Sequence, residues 1–170
     1  VTRMVERDLL TKLDHARLPN LANMAAPFLD PPYDPKCAYS VPYTWVVLGL
    51  GYRRSKMKDY KAPNSWKWVF DSDDYRIGWL SETSDMSRLG AKYLGYNIED
   101  ITPEVVRKVE KLLSKQAKHV SAFHTDNGQD LLKSGEVDIV IEYNGDIAQV
   151  MREDPDLDFV VPREGGLRSV

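Results

Sequence analysis

The stretch Tyr75–Gly95, YRIGWLSETSDMSRLGAKYLG, contains one complete strand-to-helix unit. Its first six residues are rich in aromatic and branched side chains, which predicts a β-strand over 75–80. A helix is predicted over 83–95, because its pattern ends at Gly95 and glycine commonly terminates helices. A strand followed directly by a helix is the building unit of α/β proteins.

The same alternation continues toward the end of the chain. The long segment after Gly95 is the clearest helix, because Thr102 is a typical N-cap and Pro103 occupies the first helical position. The elements predicted after Gly95 are a helix over 102–119, a strand over 120–124, a helix over 126–135, a strand over 137–143, a helix over 145–154 and a strand over 157–161. This order predicts an α/β fold with a mostly parallel sheet flanked by helices.

The first 70 residues have a less regular pattern. Pro42 interrupts a β-branched and aromatic region, which therefore predicts two strand segments with a bend between them. The elements predicted here are a helix over 2–13, an ordered loop or short turns over 19–36, strand segments over 38–45 and 46–53, and a short helix over 62–70 capped by Asn64 or Ser65.

Composition limits the possible classes of protein. The chain has 170 residues and a formal net charge of −3. This length is enough for a domain with its own core, and the charge argues against nucleic acid as the main partner. No window approaches the ~18–20 apolar residues of a membrane span. The one cysteine, Cys37, cannot form an internal disulfide or a metal cluster.

Polar residues follow each predicted strand of the alternating region. Open α/β sheets bind ligands beyond the carboxyl ends of their strands, so these residues define a candidate site. They are Ser81–Asp85, Thr125–Asn127, Tyr143 with Asn144, and Pro162–Glu164.

Glu82 and Asp85 allow two interpretations. Carboxylates at the start of a helix interact favourably with the helix dipole, by ~0.3–1 kcal/mol each when exposed, so both residues are ordinary capping residues in the first interpretation. In the second, they form charge-assisted hydrogen bonds to a cationic ligand, and an aromatic ring such as Tyr143 attracts the same cation. The residues alone leave both interpretations open.

Other candidate chemistry is weaker. His124 and Asp126 are close enough in sequence to form an acid–base pair, but no nucleophile accompanies them. The GLG at 49–51 lacks the third glycine of a dinucleotide-binding loop, and the three histidines lack metal-ligand spacing. We therefore expect no catalytic residue, no cofactor and no metal.

A set of short segments, taken in order, resembles the spermidine/putrescine-binding proteins of polyamine ABC importers. The segments are LDHARLPNLANM, FLDPPYDP, YSVPYTW, LGLGYR, NSWKWVFD, KYLGYN, AFHTDN, SGEVDIVIEYNGD and VVPREGG. The resemblance extends over nearly all of the chain and implies the type II periplasmic binding protein fold, in which two α/β lobes close on a ligand.

The resemblance also implies how the chain is organised. Residues 1–45 would be the tail of the first lobe and the approach to the hinge, 46–166 the second lobe, and 167–170 the start of the return crossing. The hinge itself is expected near Thr44–Leu48. Family members are longer, so we expect the chain to be a fragment that carries one wall of the cleft.

The family's acidic pair falls on Glu82 and Asp85, with aspartate and glutamate exchanged, and its aromatic residue before NG falls on Tyr143. These three are the expected ligand-binding residues. Ser169 occupies a position where the family has an aromatic residue, and this difference leaves the identity of the amine open.

The expected function is that of the substrate-binding component of a polyamine importer, which binds spermidine or putrescine and has no enzymatic activity. Its partner would be a membrane permease, and its location the periplasm or, with a lipid anchor, the cell surface. Self-association is a further expectation, because a lobe without its partner exposes apolar surface. The alternatives are a binding protein for another organic cation or a metal complex, an enzyme using His124 and Asp126, and an effector-sensing domain of a regulator.

Overall fold

The computed structural model describes residues 1–169, which form two compact units, Val1–Trp45 and Val46–Ser169. No helix within these residues has the length and apolar character needed to span a bilayer. The assignment of the two units to separate lobes stays a prediction.

In the first unit, the only α-helix among its described residues is α1, Thr2–Val5. The prediction of a helix over 2–13 is therefore wrong in extent. Asp8 has a positive φ of 52°, and Leu9 N–H donates to the carbonyl of Met4 at 2.9 Å, which closes the helix. A 3₁₀ turn follows at His15–Arg17, and the short turns predicted over 19–36 are 3₁₀ turns at Pro19–Asn23, Ala26–Phe28 and Pro35–Cys37.

The predicted strand over 38–45 is absent from the described structure. The buried carboxylate of Asp34 accepts hydrogen bonds from the backbone N–H groups of Tyr39 and Ser40 and from the Ser40 hydroxyl. These N–H groups therefore satisfy their hydrogen-bonding capacity through a side chain. Local pattern could not show this, because β-branched and aromatic residues favour a strand only where a neighbouring strand is available.

The second unit contains the predicted alternation of strands and helices. Its elements are β1 Val46–Arg53, α2 Lys67–Phe70, β2 Ile77–Leu80, α3 Thr83–Tyr93, α4 Pro103–Gln116, β3 Val120–His124, α5 Gly128–Ser134, β4 Ile139–Tyr143, α6 Asn144–Val150, β5 Leu157–Val160 and β6 Leu167–Ser169. The Thr102 hydroxyl accepts from Val105 N–H at 3.4 Å, which confirms the predicted cap of α4. The helix expected over 62–70 is shorter than predicted, although Ser65 Oγ accepts from Lys67 N–H at 3.2 Å.

The six strands form one sheet in the order β3-β2-β4-β1-β5, and β6 also pairs with β1. Strand β2 is parallel to both β3 and β4, whereas β1 is antiparallel to β4, β5 and β6. Five of these six strands consequently run in one direction and β1 alone is reversed. The α/β class is confirmed, and the expectation of a mostly parallel sheet holds for strand direction, with the reversed β1 as its exception.

The sheet has a separate apolar cluster on each face. Alternation along β4 directs Ile139 and Ile141 toward a cluster with Trp66, Phe70 and Leu89, while Val140 faces a second cluster formed by α5, α6 and β5. Each of these six residues is 0% exposed to solvent. The sheet is therefore a rigid base for the loops at its ends.

The GLG of 49–51 lies within β1 and has a packing role. A Cβ atom at Gly51 would lie 2.5 Å from Ile147 Cδ1, so only glycine lets α6 pack this closely on the strand.

Candidate functional site

Glu82, Asp85 and Tyr143 lie at the carboxyl edge of the sheet formed by 46–169. Strand β2 ends at Leu80, shortly before α3 begins at Thr83, and β4 ends at Tyr143. Because β2 and β4 are neighbours and parallel, their carboxyl ends share this edge. The topology therefore brings together residues from two separate parts of the sequence.

Asp85 and Tyr143 are in direct contact. The Tyr143 hydroxyl donates a hydrogen bond to Asp85 Oδ2 at 3.5 Å, and both side chains are half-buried. Burial raises the pKa of the Asp85 carboxyl, and the negative charge of Glu82 raises it further, while Arg88 and the Tyr143 hydroxyl act in the opposite direction. A cation at this position would stabilise the ionised form of Asp85.

Glu82 is exposed and caps α3. Its Oε1 accepts from the backbone N–H of Ser84 at 3.2 Å, as expected for an N-cap residue. The capping interpretation therefore describes a real contact of Glu82. For Asp85, the side-chain hydrogen bond found among the described residues is the one from Tyr143.

The reversed strand β1 completes this edge. Asn144 Oδ1 accepts from Val47 N–H at 2.8 Å, and Val46 pairs with Ser169 of β6. The start of β1 and the end of β6 consequently lie side by side next to Tyr143, whose strand is paired with β1 at Leu48.

Residues 162–164 were expected to follow the last strand at the carboxyl edge of the sheet, but they do not lie at the end of the strand pairing with β1. They belong to an excursion between β5 and β6, and β6 then continues along β1. Glu164 Oε1 accepts from the Ser65 hydroxyl at 2.5 Å, so this carboxylate holds the start of α2. The correction comes from strand β6, which the alternating pattern did not predict.

Sequence pattern missed two further acidic residues, Glu142 and Asp146, which form a second acidic group together with Asp126. Burial raises the pKa of Asp146, and the charge of Asp126 raises it further. Glu142 is only 1% exposed. A signal was present, because alternation along IVIEY places Glu142 on the face opposite Tyr143, and helices cover both faces of such a sheet.

His124 is fully enclosed, with a side chain that is 0% exposed. Its Nδ1 lies 3.5 Å from Glu142 Oε2, and burial lowers its pKa. Asp126 is exposed and accepts a hydrogen bond from the Thr125 hydroxyl at 3.2 Å. The geometry therefore gives no support to an enzyme in which His124 and Asp126 form an accessible acid–base pair.

The edge combines two neighbouring carboxylates, a phenol and an amide on a rigid sheet. The raised pKa of Asp85 favours an ammonium ligand, because a cation compensates both the desolvation of this carboxylate and its repulsion by Glu82. The face of the Tyr143 ring offers an additional attraction of ~0.5–2 kcal/mol for a cation.

Residues 1–169 match the family described as bacterial extracellular solute-binding protein. The match extends over the whole described chain, so the protein belongs to this family. The fold is therefore that of a domain of a type II periplasmic binding protein.

Several relatives carry names that refer to polyamine binding. The spermidine/putrescine-binding periplasmic protein of Escherichia coli K12 is 27% identical over 169 residues, covering 98% of this chain and 48% of that protein. A putative spermidine/putrescine ABC transporter from Listeria monocytogenes has a TM-score of 0.89 at 27% identity, covering 98% of this chain and 52% of that one. The spermidine/putrescine substrate-binding protein of Streptococcus pneumoniae has a TM-score of 0.83 at 25% identity, with coverage of 98% and 51%.

The chain thus spans about half the length of the relatives it matches. The binding properties of those whole proteins are properties of chains twice this long.

Proposed function

We propose that the protein is the substrate-binding component of a polyamine ABC importer and that this chain supplies one wall of its ligand cleft. The observation that carries the proposal is the contact between Asp85 and Tyr143, with Glu82 beside them, at the carboxyl edge of the sheet. Membership of the solute-binding family and the polyamine-binding relatives support the same ligand class.

In this proposal, Asp85 pairs with an ammonium group of the ligand, and Glu82 contributes a second negative charge nearby. Tyr143 packs its ring on the methylene chain and keeps its hydroxyl on Asp85. A half-buried charged hydrogen bond contributes ~1.5–3 kcal/mol net, so Asp85 is expected to contribute most of the affinity of this wall.

We further propose that residues 1–45 end the first lobe, 46–166 form the second lobe and 167–170 begin the return crossing. Two adjacent strands are a suitable hinge, because small backbone rotations at their ends move a lobe as a rigid body. The pairing of Val46 with Ser169 next to Tyr143 supports this placement.

Outside the cytoplasm, the ligand-loaded protein would dock on a membrane permease, which carries out the transport. The family description as extracellular supports a location in the periplasm or, with a lipid anchor, on the cell surface. The protein itself would bind and release the ligand unchanged.

Isothermal titration calorimetry on the full-length protein tests this function. Putrescine and spermidine should bind with 1:1 stoichiometry, and the double variant Glu82→Gln/Asp85→Asn should lose most of the affinity. The matched control Glu136→Gln, which neutralises an exposed carboxylate between α5 and β4, should bind normally.

A thermal-shift panel of amines, metal complexes and sugars on the same protein identifies the ligand class. Stabilisation by polyamines above all other compounds supports the proposal. Stabilisation by a metal complex or a different organic cation alone would replace polyamines as the ligand, and equal affinity of the double variant for polyamines would reject the site.

A further inference from the structure

Glu142 is a buried carboxyl group directly behind Tyr143. It is 1% exposed and lies on the face of the sheet opposite the ligand site. Among residues 1–169, its only possible ion-pair partner within 4.0 Å is His124. A carboxyl group buried without a lysine or arginine needs a specific explanation, because burial of a charge is costly.

Both oxygens of Glu142 hold backbone groups near the site. Oε1 accepts from the N–H of Tyr143 at 2.8 Å, and Oε2 accepts from the N–H of Gly128 at 3.0 Å. Glu142 therefore joins the end of β4 to the start of α5. The packing around Oε2 is tight, because a Cβ atom at Gly128 would lie 2.6 Å from it and 2.5 Å from His124 Cε1.

His124 encloses the carboxyl group from β3. Its Nδ1 is 3.5 Å from Oε2, and neither ring nitrogen makes a short hydrogen bond within the described residues. Transfer of a proton to Oε2 would let Glu142 donate to this nitrogen. The two side chains can therefore share one proton in a site closed to solvent.

The surrounding charges favour titration near neutrality. Burial raises the pKa of Glu142 to about 7, with Asp146 and Asp126 raising it and the N–H groups of Tyr143 and Gly128 lowering it. Burial lowers the pKa of His124, whereas the backbone of Ile141 and the negative charge of Asp126 raise it. At neutral pH, the pair is consequently close to the point where Glu142 gains or loses its proton.

We propose that Glu142 is a positioning residue for Tyr143 and that the proton shared with His124 makes ligand affinity depend on pH. Ionised Glu142 accepts strongly from the Tyr143 N–H and adds a negative charge behind the site. Protonated Glu142 is a weaker acceptor and adds no charge. This role rests on the proposed function, because Tyr143 must contact the ligand.

The first test is the pH profile of putrescine and spermidine binding to the full-length protein. Affinity should rise about five- to tenfold from about pH 6 to about pH 8, which is at the lower end of typical coupling free energies between two sites. Alkylammonium groups, with an ordinary pKa of ~10.4, stay charged throughout this range. Glu142→Gln should bind more weakly at the higher pH and show a flat profile, while Glu136→Gln keeps the wild-type profile.

The second test needs no variant. In wild-type protein with ¹³C-labelled glutamate carboxyls, one buried carboxyl should titrate near neutrality, and the Tyr143 amide ¹⁵N–¹H signal should move with it. Saturating putrescine should lower that pKa, because a ligand preferring the ionised form shifts the protonation equilibrium.

The outcomes separate the two proposals. Amine binding that is unchanged in Glu142→Gln, or a carboxyl pKa unaffected by saturating putrescine, overturns the role of Glu142 and leaves the proposed function intact. If the Tyr143 amide follows the carboxyl titration but no amine binds at any pH, the proposed function is overturned. The proposed effect of Glu142 on ligand affinity is then overturned with it.

Discussion

Replacing Asp85 with asparagine should weaken amine binding and stabilise the ligand-free protein. The pKa of Asp85 is raised by burial and by Glu82, so its charge at neutral pH is unfavourable in the folded protein. The contribution of such a carboxyl to stability is fully present below its ordinary pKa, and it is lost as the pH rises through its pKa in the folded protein. Asparagine is uncharged and therefore avoids this unfavourable charge, and its side-chain oxygen can still accept from the Tyr143 hydroxyl.

The size of the loss in affinity follows from the surroundings of each carboxylate. Asp85 is half-buried, and a charged hydrogen bond in such a place contributes ~1.5–3 kcal/mol, which is a loss of about ten- to 150-fold. Glu82 is exposed, and exposed ion pairs contribute ~0.2–1 kcal/mol, which is a loss of at most about fivefold. Asp85→Asn should therefore cost much more affinity than Glu82→Gln.

The two variants should also differ in thermal stability. Glu82→Gln weakens the cap of α3 and should slightly lower the Tm, whereas Asp85→Asn should raise it. Calorimetric titration and thermal unfolding of the full-length protein measure both effects. Asp73→Asn, at an exposed position before β2, is the matched control. The reasoning is refuted if Asp85→Asn binds as tightly as wild type, or if it lowers the Tm of the free protein.

Three further predictions concern the fold and the cleft. The pKa of Glu142 is raised from 4.5 to about 7, so its contribution to stability is present below pH 4.5 and up to about 3 kcal/mol of it is lost as the pH rises through 7. His124, with a lowered pKa, acts in the opposite direction, so denaturant unfolding of wild type against Glu142→Gln isolates the effect; parallel pH profiles would contradict it. Gly128→Ala should destabilise the protein by ~1–3 kcal/mol in urea unfolding because the new methyl group overlaps His124 and Glu142, and a change near zero would show that the pair moves freely. The 170-residue chain by itself should bind putrescine only weakly, with a Kd above about 1 μM, since a cleft needs both walls; a Kd below about 1 μM for the chain alone would disprove this.

Local interactions explain why much of the fold could be predicted. Thr102 and Pro103 act on backbone groups within one turn, so the start of α4 depends on residues next to it in sequence. The helix over 2–13 had an apolar pattern but no capping signal at its end, and Asp8 terminates it early through a left-handed conformation that pattern does not reveal.

The candidate site could be predicted only as a set of positions. The ends of the predicted strands identified Glu82, Asp85 and Tyr143 as candidates, and the family resemblance selected these three from the larger set. Their assignment as ligand contacts stays a prediction. The carboxyl edge followed from the expected parallel strands, but the placement of 162–164 did not, because it depends on β6 pairing with the reversed β1.

By itself, the sequence determined the α/β class, the alternation of elements and the location of the acidic pair, because these depend on periodicity and on contacts between near neighbours. Only the tertiary structure decided that β1 runs against the other strands, that Tyr143 reaches Asp85 at a separation of 58 residues, and that Glu142 faces His124 in a closed site. The physical reason is that long-range contacts depend on strand order and register, which arise from packing of the whole sheet.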